Sequence, residues 1–277
     1  MVDSKRILQI ISVTLVFCYA PLLAQDSCES LCKGLEAAKA GDFASALREW
    51  TPLAEAGNAE AQFYLGKIYF NGRGASQDFS EAVKWYRRAA DQGYVIAQFN
   101  LGQMHLLGIG VSQDYSEAAK WYSKAAEQGY ADAQCNLGKL YELGKGIPQD
   151  FAEAQKWYRR AADQGSAMGQ NNLGVMYSNG TGVAQDYREA LKWYRKGAEQ
   201  GDAMAQYNLG IVYDGGEGAP KDQLRALMWY TIAAANWREE SFKWLYTQKK
   251  KMTSVDIAKA EAMASECMRS NYQNCEW

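Results

Sequence analysis

Residues 61–93 read AQFYLGKIYFNGRGASQDFSEAVKWYRRAADQG, and the same skeleton returns four more times at a spacing of 36 residues. Trp85, Trp121, Trp157, Trp193 and Trp229 mark the copies, as do Gly66, Gly102, Gly138, Gly174 and Gly210. Self-similarity at a fixed period of this length is the signature of a stacked repeat, in which each unit buries its apolar face against the next. We place the units at 57–92, 93–128, 129–164, 165–200 and 201–236.

Each unit divides into two helices. Ala61, Leu65, Ile68 and Tyr69 share one face of the first. Gly66 falls in its middle, where glycine costs about 1 kcal/mol relative to alanine. Paying this five times predicts a close approach, which we assign to neighbouring helix backbones. Gly72 is suited to end the helix in a left-handed cap, and Gly74 to re-aim the chain. These paired glycines do not form a phosphate cradle, because no copy has the following Lys-Ser/Thr pair. Asp78 with Glu81 reads as a capping box at the second helix, repeated as Asp114/Glu117, Asp150/Glu153 and Asp186/Glu189. Arg225 replaces the glutamate in the last copy, leaving Asp222 to cap alone. Carboxylates that recur at helix starts are caps rather than acid–base pairs. The second helix carries Ala82, Trp85, Tyr86, Ala89 and Ala90, and large tryptophan against small alanine reads as core.

Outside the repeats, residues 1–24 have the form of a signal peptide: Lys5 and Arg6, an apolar run from Ile7 to Phe17, and small Ala24 before Gln25. That run is short for a membrane span, and no later one has the required length. No stable membrane insertion is expected after cleavage. Residues 25–56 read as an N-terminal capping helical pair and 237–277 as C-terminal capping helices. Lys249, Lys250 and Lys251 mark the turn between the latter as a solvated helix end. Beyond residue 24 stand Cys28, Cys32, Cys135, Cys267 and Cys275. Export implies oxidising conditions, making Cys267 and Cys275 a candidate disulfide. Cys28 and Cys32 are one helical turn apart, so they can pair only if Cys28 precedes the helix. Their spacing alone is no zinc signature. With 48% apolar and 22% charged residues the chain is a folded one. Its net charge of −2 gives no footprint for nucleic acid.

The unit Ala-x-x-x-Leu-Gly-x-x-Tyr-x-x-Gly-x-Gly-x-x-x-Gln-Asp-x-x-x-Ala-x-x-Trp-Tyr-x-x-Ala-Ala-x-Gln-Gly is closely similar to the Sel-1-like repeat, the 36-residue relative of the tetratricopeptide repeat. The resemblance covers about residues 57–236. The segment Gly41–Gly57 resembles the half-repeat that opens secreted members, and Met252–Cys275 the helix that closes them. It implies an all-α fold, a right-handed α-solenoid of antiparallel helix pairs with a concave surface. It also implies a scaffold or adaptor that binds a protein or peptide and needs no cofactor or metal. A cysteine-rich secreted branch, reported to bind or slowly hydrolyse β-lactams, has a disulfide in every repeat. The repeats of this chain lack those cysteines, so that activity does not carry over.

Positions identical in all five copies serve packing, whereas variable ones are free to serve a ligand. One variable column on the first helix runs Phe63, Phe99, Cys135, Asn171, Tyr207. A second runs Lys67, Gln103, Lys139, Val175, Ile211. In the tetratricopeptide pattern the first column lines the concave face, and the mixed lining suits a peptide; the alternative is that both are tolerant, exposed positions. Glutamines recur at 62, 98, 134, 170 and 206 and asparagines at 100, 136, 172 and 208, either to bind a peptide backbone or to satisfy turn carbonyls. His105, the single histidine, occupies a column otherwise held by tyrosine, and a Cys135–His105 pair would lack the third group that orients such a base. No G-x-S-x-G elbow occurs. The expected protein is therefore a periplasmic or secreted binding scaffold without catalysis of its own. The alternative is a slow hydrolase or small-ligand binder.

Overall fold

The computed structural model describes residues 28–236, 241–273 and 275. The signal-peptide segment lies outside them. Among the described residues every regular element is an α-helix. Helix α1 covers 28–39 and α2 Phe43–Glu55. The repeats supply five pairs: α3 Ala59–Asn71 with α4 Phe79–Asp91, α5 Val95–Leu107 with α6 Tyr115–Glu127, α7 Ala131–Leu143 with α8 Phe151–Asp163, α9 Ala167–Asn179 with α10 Tyr187–Ala198, and α11 Ala203–Gly215 with α12 Gln223–Asn236. Helices α13 (Ser241–Lys249) and α14 (Ser254–Arg269) follow.

Two compact units divide within α6, between Trp121 and Tyr122. In unit 1, α3 packs on both α2 and α4, and α4 on α5. In unit 2 each helix from α7 to α12 packs on the next, α9 also touches α7 and α11, and α12 takes α13 and α14. Both units are thus runs of consecutive helix pairs.

The loop inside each of the first four pairs is held by three bonds that return with the repeat; in the fifth, Lys221 replaces the glutamine. Gly72 caps α3 with φ 67°, its N–H reaching the Ile68 carbonyl, and glycine takes that left-handed conformation without strain. The Asp78 carboxylate accepts from the Glu81 N–H at 2.9 Å. Gln77 Nε2 donates to the Phe70 carbonyl at 3.0 Å, and Gln113, Gln149 and Gln185 repeat this. The capping box is only half formed. The N–H that Glu81 would take in a full box is spent instead on the Tyr69 carbonyl, at 2.9 Å. The same bond joins Asp114 to His105, Asp150 to Tyr141, Asp186 to Tyr177 and Asp222 to Tyr213. Glu81, Glu117, Glu153 and Glu189 therefore turn forward to Lys84, Lys120, Lys156 and Lys192. Asp222 caps α12 through the Arg225 N–H at 3.0 Å.

The mid-helix glycines accommodate a side chain, which corrects the backbone reading. A methyl group at Gly66 would stand 2.5 Å from the Tyr86 ring, and at Gly174 or Gly210 2.7 and 2.6 Å from Tyr194 and Tyr230. The aromatic of the second helix lies flat where the first helix has no side chain. Gly74 faces backbone: a methyl there would meet the Phe43 carbonyl oxygen at 2.7 Å.

The five indoles are buried, with 2–8% of their surface exposed. A feature absent from the sequence reading is a cation over the ring. Arg88 lies 4.6 Å from the Trp85 centroid, Arg160 4.6 Å from Trp157, and Lys196 4.2 Å from Trp193. Such contacts are worth about 0.5–2 kcal/mol each.

The ends differ from the repeats. Cys28 and Cys32 both lie inside α1 and are exposed free thiols, so Cys28 does not precede the helix. Cys267 and Cys275 form a disulfide that returns the tail to α14. Lys249 pairs with Glu261 at 2.5 Å across the α13–α14 corner, and Lys250 covers the Tyr246 ring of α13 at 4.4 Å.

Candidate binding face

The first variable column does not line an open surface. Phe63, Cys135 and Asn171 are buried, and Phe99 and Tyr207 are half-buried. Phe63 packs against Tyr86 and Tyr94, with centroids 5.9 and 5.1 Å apart. Cys135 Sγ lies 3.7 Å from Ser166 Oγ. Asn171 accepts from Asn208 at 2.8 Å, and Tyr207 meets Trp244 edge-on at 6.2 Å. Four of these five contacts, all but Phe63–Tyr86, reach about one repeat length ahead in the chain. The residues are spacers between consecutive pairs, and they vary because each must fit a different neighbour.

The second column faces solvent. Lys67, Lys139 and Ile211 are exposed, and Gln103 and Val175 half-exposed. Four of these five residues line clefts along the first helices. In unit 1 a cleft of about 360 Å³ is walled by Lys39, Phe43, Trp50, Tyr64 and Lys67. It adjoins one of about 300 Å³ that contains Phe70, Asn100, Gln103 and Leu107, and the two share Lys67 and Asn71. In unit 2 a cleft of about 230 Å³ is lined by Lys139, Glu142, Asn172, Val175 and Met204. Ile211 stands outside these clefts.

A third column bears on the site: Phe70, Leu106, Glu142, Ser178 and Asp214, again 36 residues apart. In two copies it meets the hydroxyl of the buried tyrosine of its own second helix. Tyr158 donates to Glu142 at 2.7 Å, and Tyr194 bonds Ser178. Apolar Phe70 and Leu106 offer no acceptor, and beside Phe70 it is Asn100 that bonds Tyr86. The variability of this column was readable in the sequence; its role depended on seeing where the tyrosine hydroxyl ends.

The glutamine ladder is structural. Gln62, Gln98, Gln134, Gln170 and Gln206 donate to the carbonyls of Ala54, Ala90, Ala126, Ala162 and Ala198 at 2.9–3.3 Å, closing the end of the preceding helix. Gln92, Gln164, Gln200 and Asn236 in turn donate to the oxygens of Gln62, Gln134, Gln170 and Gln206. Buried amides left without such partners would cost about 1–3 kcal/mol each.

His105 and Cys135 each have a partner of another kind. His105 is buried, and its Nε2 sits 3.2 Å from Arg87, as Tyr177 and Tyr213 bond Arg159 and Arg195 at 2.5 and 3.0 Å. Burial, then the Arg87 charge, lowers its pKa. Burial raises the Cys135 thiol to about 11, the reverse of what a thiolate nucleophile requires. Among the described residues no three His, Cys, Asp or Glu side chains are grouped to hold a metal, and no helix is long and apolar enough to cross a membrane.

The family model that matches is the Sel1 repeat, over residues 59–94, 95–130, 131–166, 167–202 and 203–236. A crystal structure of a Sel1 repeat protein from Oxalobacter formigenes is 34% identical, covering 90% of this chain and 98% of that one with a TM-score of 0.77. A protective antigen of uropathogenic Escherichia coli with an SLR fold is 25% identical, over 89% of this chain and 70% of its own, with a TM-score of 0.43. No curated protein matches the chain. Five consecutive family repeats, together spanning more than half of the residues, establish that this chain belongs to the Sel1 repeat family.

Proposed function

We propose that this protein is an exported scaffold that binds a protein or peptide along the first helices of its repeats. Sel1 repeats generally mediate contacts between proteins. The observation that carries the reading is the division of labour on α3, α5, α7 and α9. An identical leucine, glycine and glutamine hold the frame of each, while the outward column runs Lys67, Gln103, Lys139 and Val175 and lines clefts. A surface that varies on a constant frame is how repeat proteins distinguish partners. Export is supported by the signal-like segment 1–24 and by the Cys267–Cys275 disulfide, because such bonds persist in oxidising compartments.

Affinity capture from the native envelope tests the reading with Lys67→Ala, Gln103→Ala and Leu107→Ala combined. All three side chains reach solvent, so the variant should fold. Loss of the captured partner is the expected result; an unchanged set of partners would remove the clefts from the function. N-terminal sequencing of the mature protein should begin at Gln25, and a retained Met1 would count against export.

A further inference from the structure

From the charge and shape of the unit 1 clefts we infer that they select an acidic peptide segment, one that alternates apolar side chains with carboxylates. This deepens the proposed function and rests on it. The two adjoining clefts present Lys39, Lys67 and Arg73 and no acidic side chain. Among the described residues none of these three cations has a carboxylate within ion-pair distance, whereas Lys84 and Lys120 in the same unit are paired with Glu81 and Glu117. The chain as a whole carries a net charge of −2, so the positive lining is local rather than a general excess.

Beneath the charges lies an aromatic floor. Trp50 stacks on Tyr64 with centroids 4.6 Å apart, and Arg73 sits 5.7 Å over the Phe43 ring. Glu60, which takes the Tyr64 hydroxyl at 3.4 Å, is outside the lining. In the second cleft Phe70 and Leu107 continue the apolar surface, and the half-exposed Gln103 amide can bond a peptide backbone. An apolar side chain of the ligand would enter between the aromatics, and carboxylates on its flanks would meet the cations. A basic segment would meet three like charges, a repulsion that excludes wrong partners.

Unit 2 supplies a contrast. The residue equivalent to Lys67 is Lys139, which is neutralised at 3.1 Å by Glu142. In unit 1 the position of Glu142 is Phe70. The same site in two copies thus carries a free cation in one and an internal ion pair in the other.

The test uses the full mature chain and three end-blocked fluorescent hexapeptides in which phenylalanine alternates with aspartate, serine or lysine. Fluorescence anisotropy should show the aspartate peptide binding about tenfold more tightly than the serine peptide, weakening with added salt, with little binding of the lysine peptide. Lys67→Glu with Arg73→Glu should invert the preference between the aspartate and lysine peptides, and circular dichroism checks that the variant is folded. Equal binding of the aspartate and serine peptides, or an unchanged preference in the charge-reversed variant, overturns the inference but leaves the groove reading intact. Absence of binding by all three also overturns it; the groove reading falls with it only if the envelope capture is indifferent to the cleft variants as well.

Discussion

Unit 1 and unit 2 are built from one repeat and differ in what their clefts do with it. Around Lys67 the charges face solvent over aromatic rings, and the Tyr86 hydroxyl is satisfied by Asn100. Around Lys139 the lysine and the Tyr158 hydroxyl share one carboxylate, Glu142, which both hold at 2.7–3.1 Å. A single column, Phe70 in one unit and Glu142 in the other, decides whether the polar groups of the cleft are used internally or stay exposed. The frame beneath is the same.

The largest expected effect tests the shared frame. Trp85→Ala and Trp157→Ala remove indoles with equal exposure and an arginine at the same 4.6 Å. Each should cost about 3–5 kcal/mol in urea unfolding followed by far-UV circular dichroism. Costs that differ by more than about 1.5 kcal/mol would mean that the two frames are not equivalent. Next comes the tyrosine. Tyr158→Phe removes a bond to a carboxylate and should cost about 1.5–3 kcal/mol, against about 0.5–1.5 kcal/mol for Tyr86→Phe, whose partner is a neutral amide. Equal costs would undo the contrast between Glu142 and Asn100.

The pH effect near neutrality is expected in unit 1, which holds the single histidine. The folded pKa of His105 is lowered, mainly by burial and then by Arg87, so the unfolded chain binds the proton more readily. Stability from this site is complete above the unfolded value of about 6.5 and is lost as pH falls below it through the folded value. His105→Tyr, which installs the residue found at 69, 141, 177 and 213, should flatten the unfolding midpoint across that window. A midpoint that falls as steeply in the variant would assign the acid sensitivity to other groups. The smallest effect is at the lysines themselves. Lys67→Ala should change stability by less than about 0.5 kcal/mol, and Lys139→Ala, which breaks an exposed pair, by a few tenths more at about 0.2–1 kcal/mol. A larger loss at Lys67 would show that it holds the fold rather than waiting for a ligand.

By itself the sequence determined the period, the helix pairs, the caps and the family, because those depend on identical residues returning at fixed spacing. Trp85, Gly72 and Asp78 are readable without coordinates, since local backbone geometry and burial dictate them. What the tertiary structure decided is where neighbouring pairs meet. Phe63, Cys135 and Asn171 look like groove residues in a column of variable type, yet they are buried against the following pair. The Glu81 side chain looks like half of a box, yet the N–H it would need is taken by Tyr69 from the helix before. In both cases the deciding partner lies on another helix. Spacing along one helix reports which residues share a face, but only packing shows whether that face meets water or a neighbour.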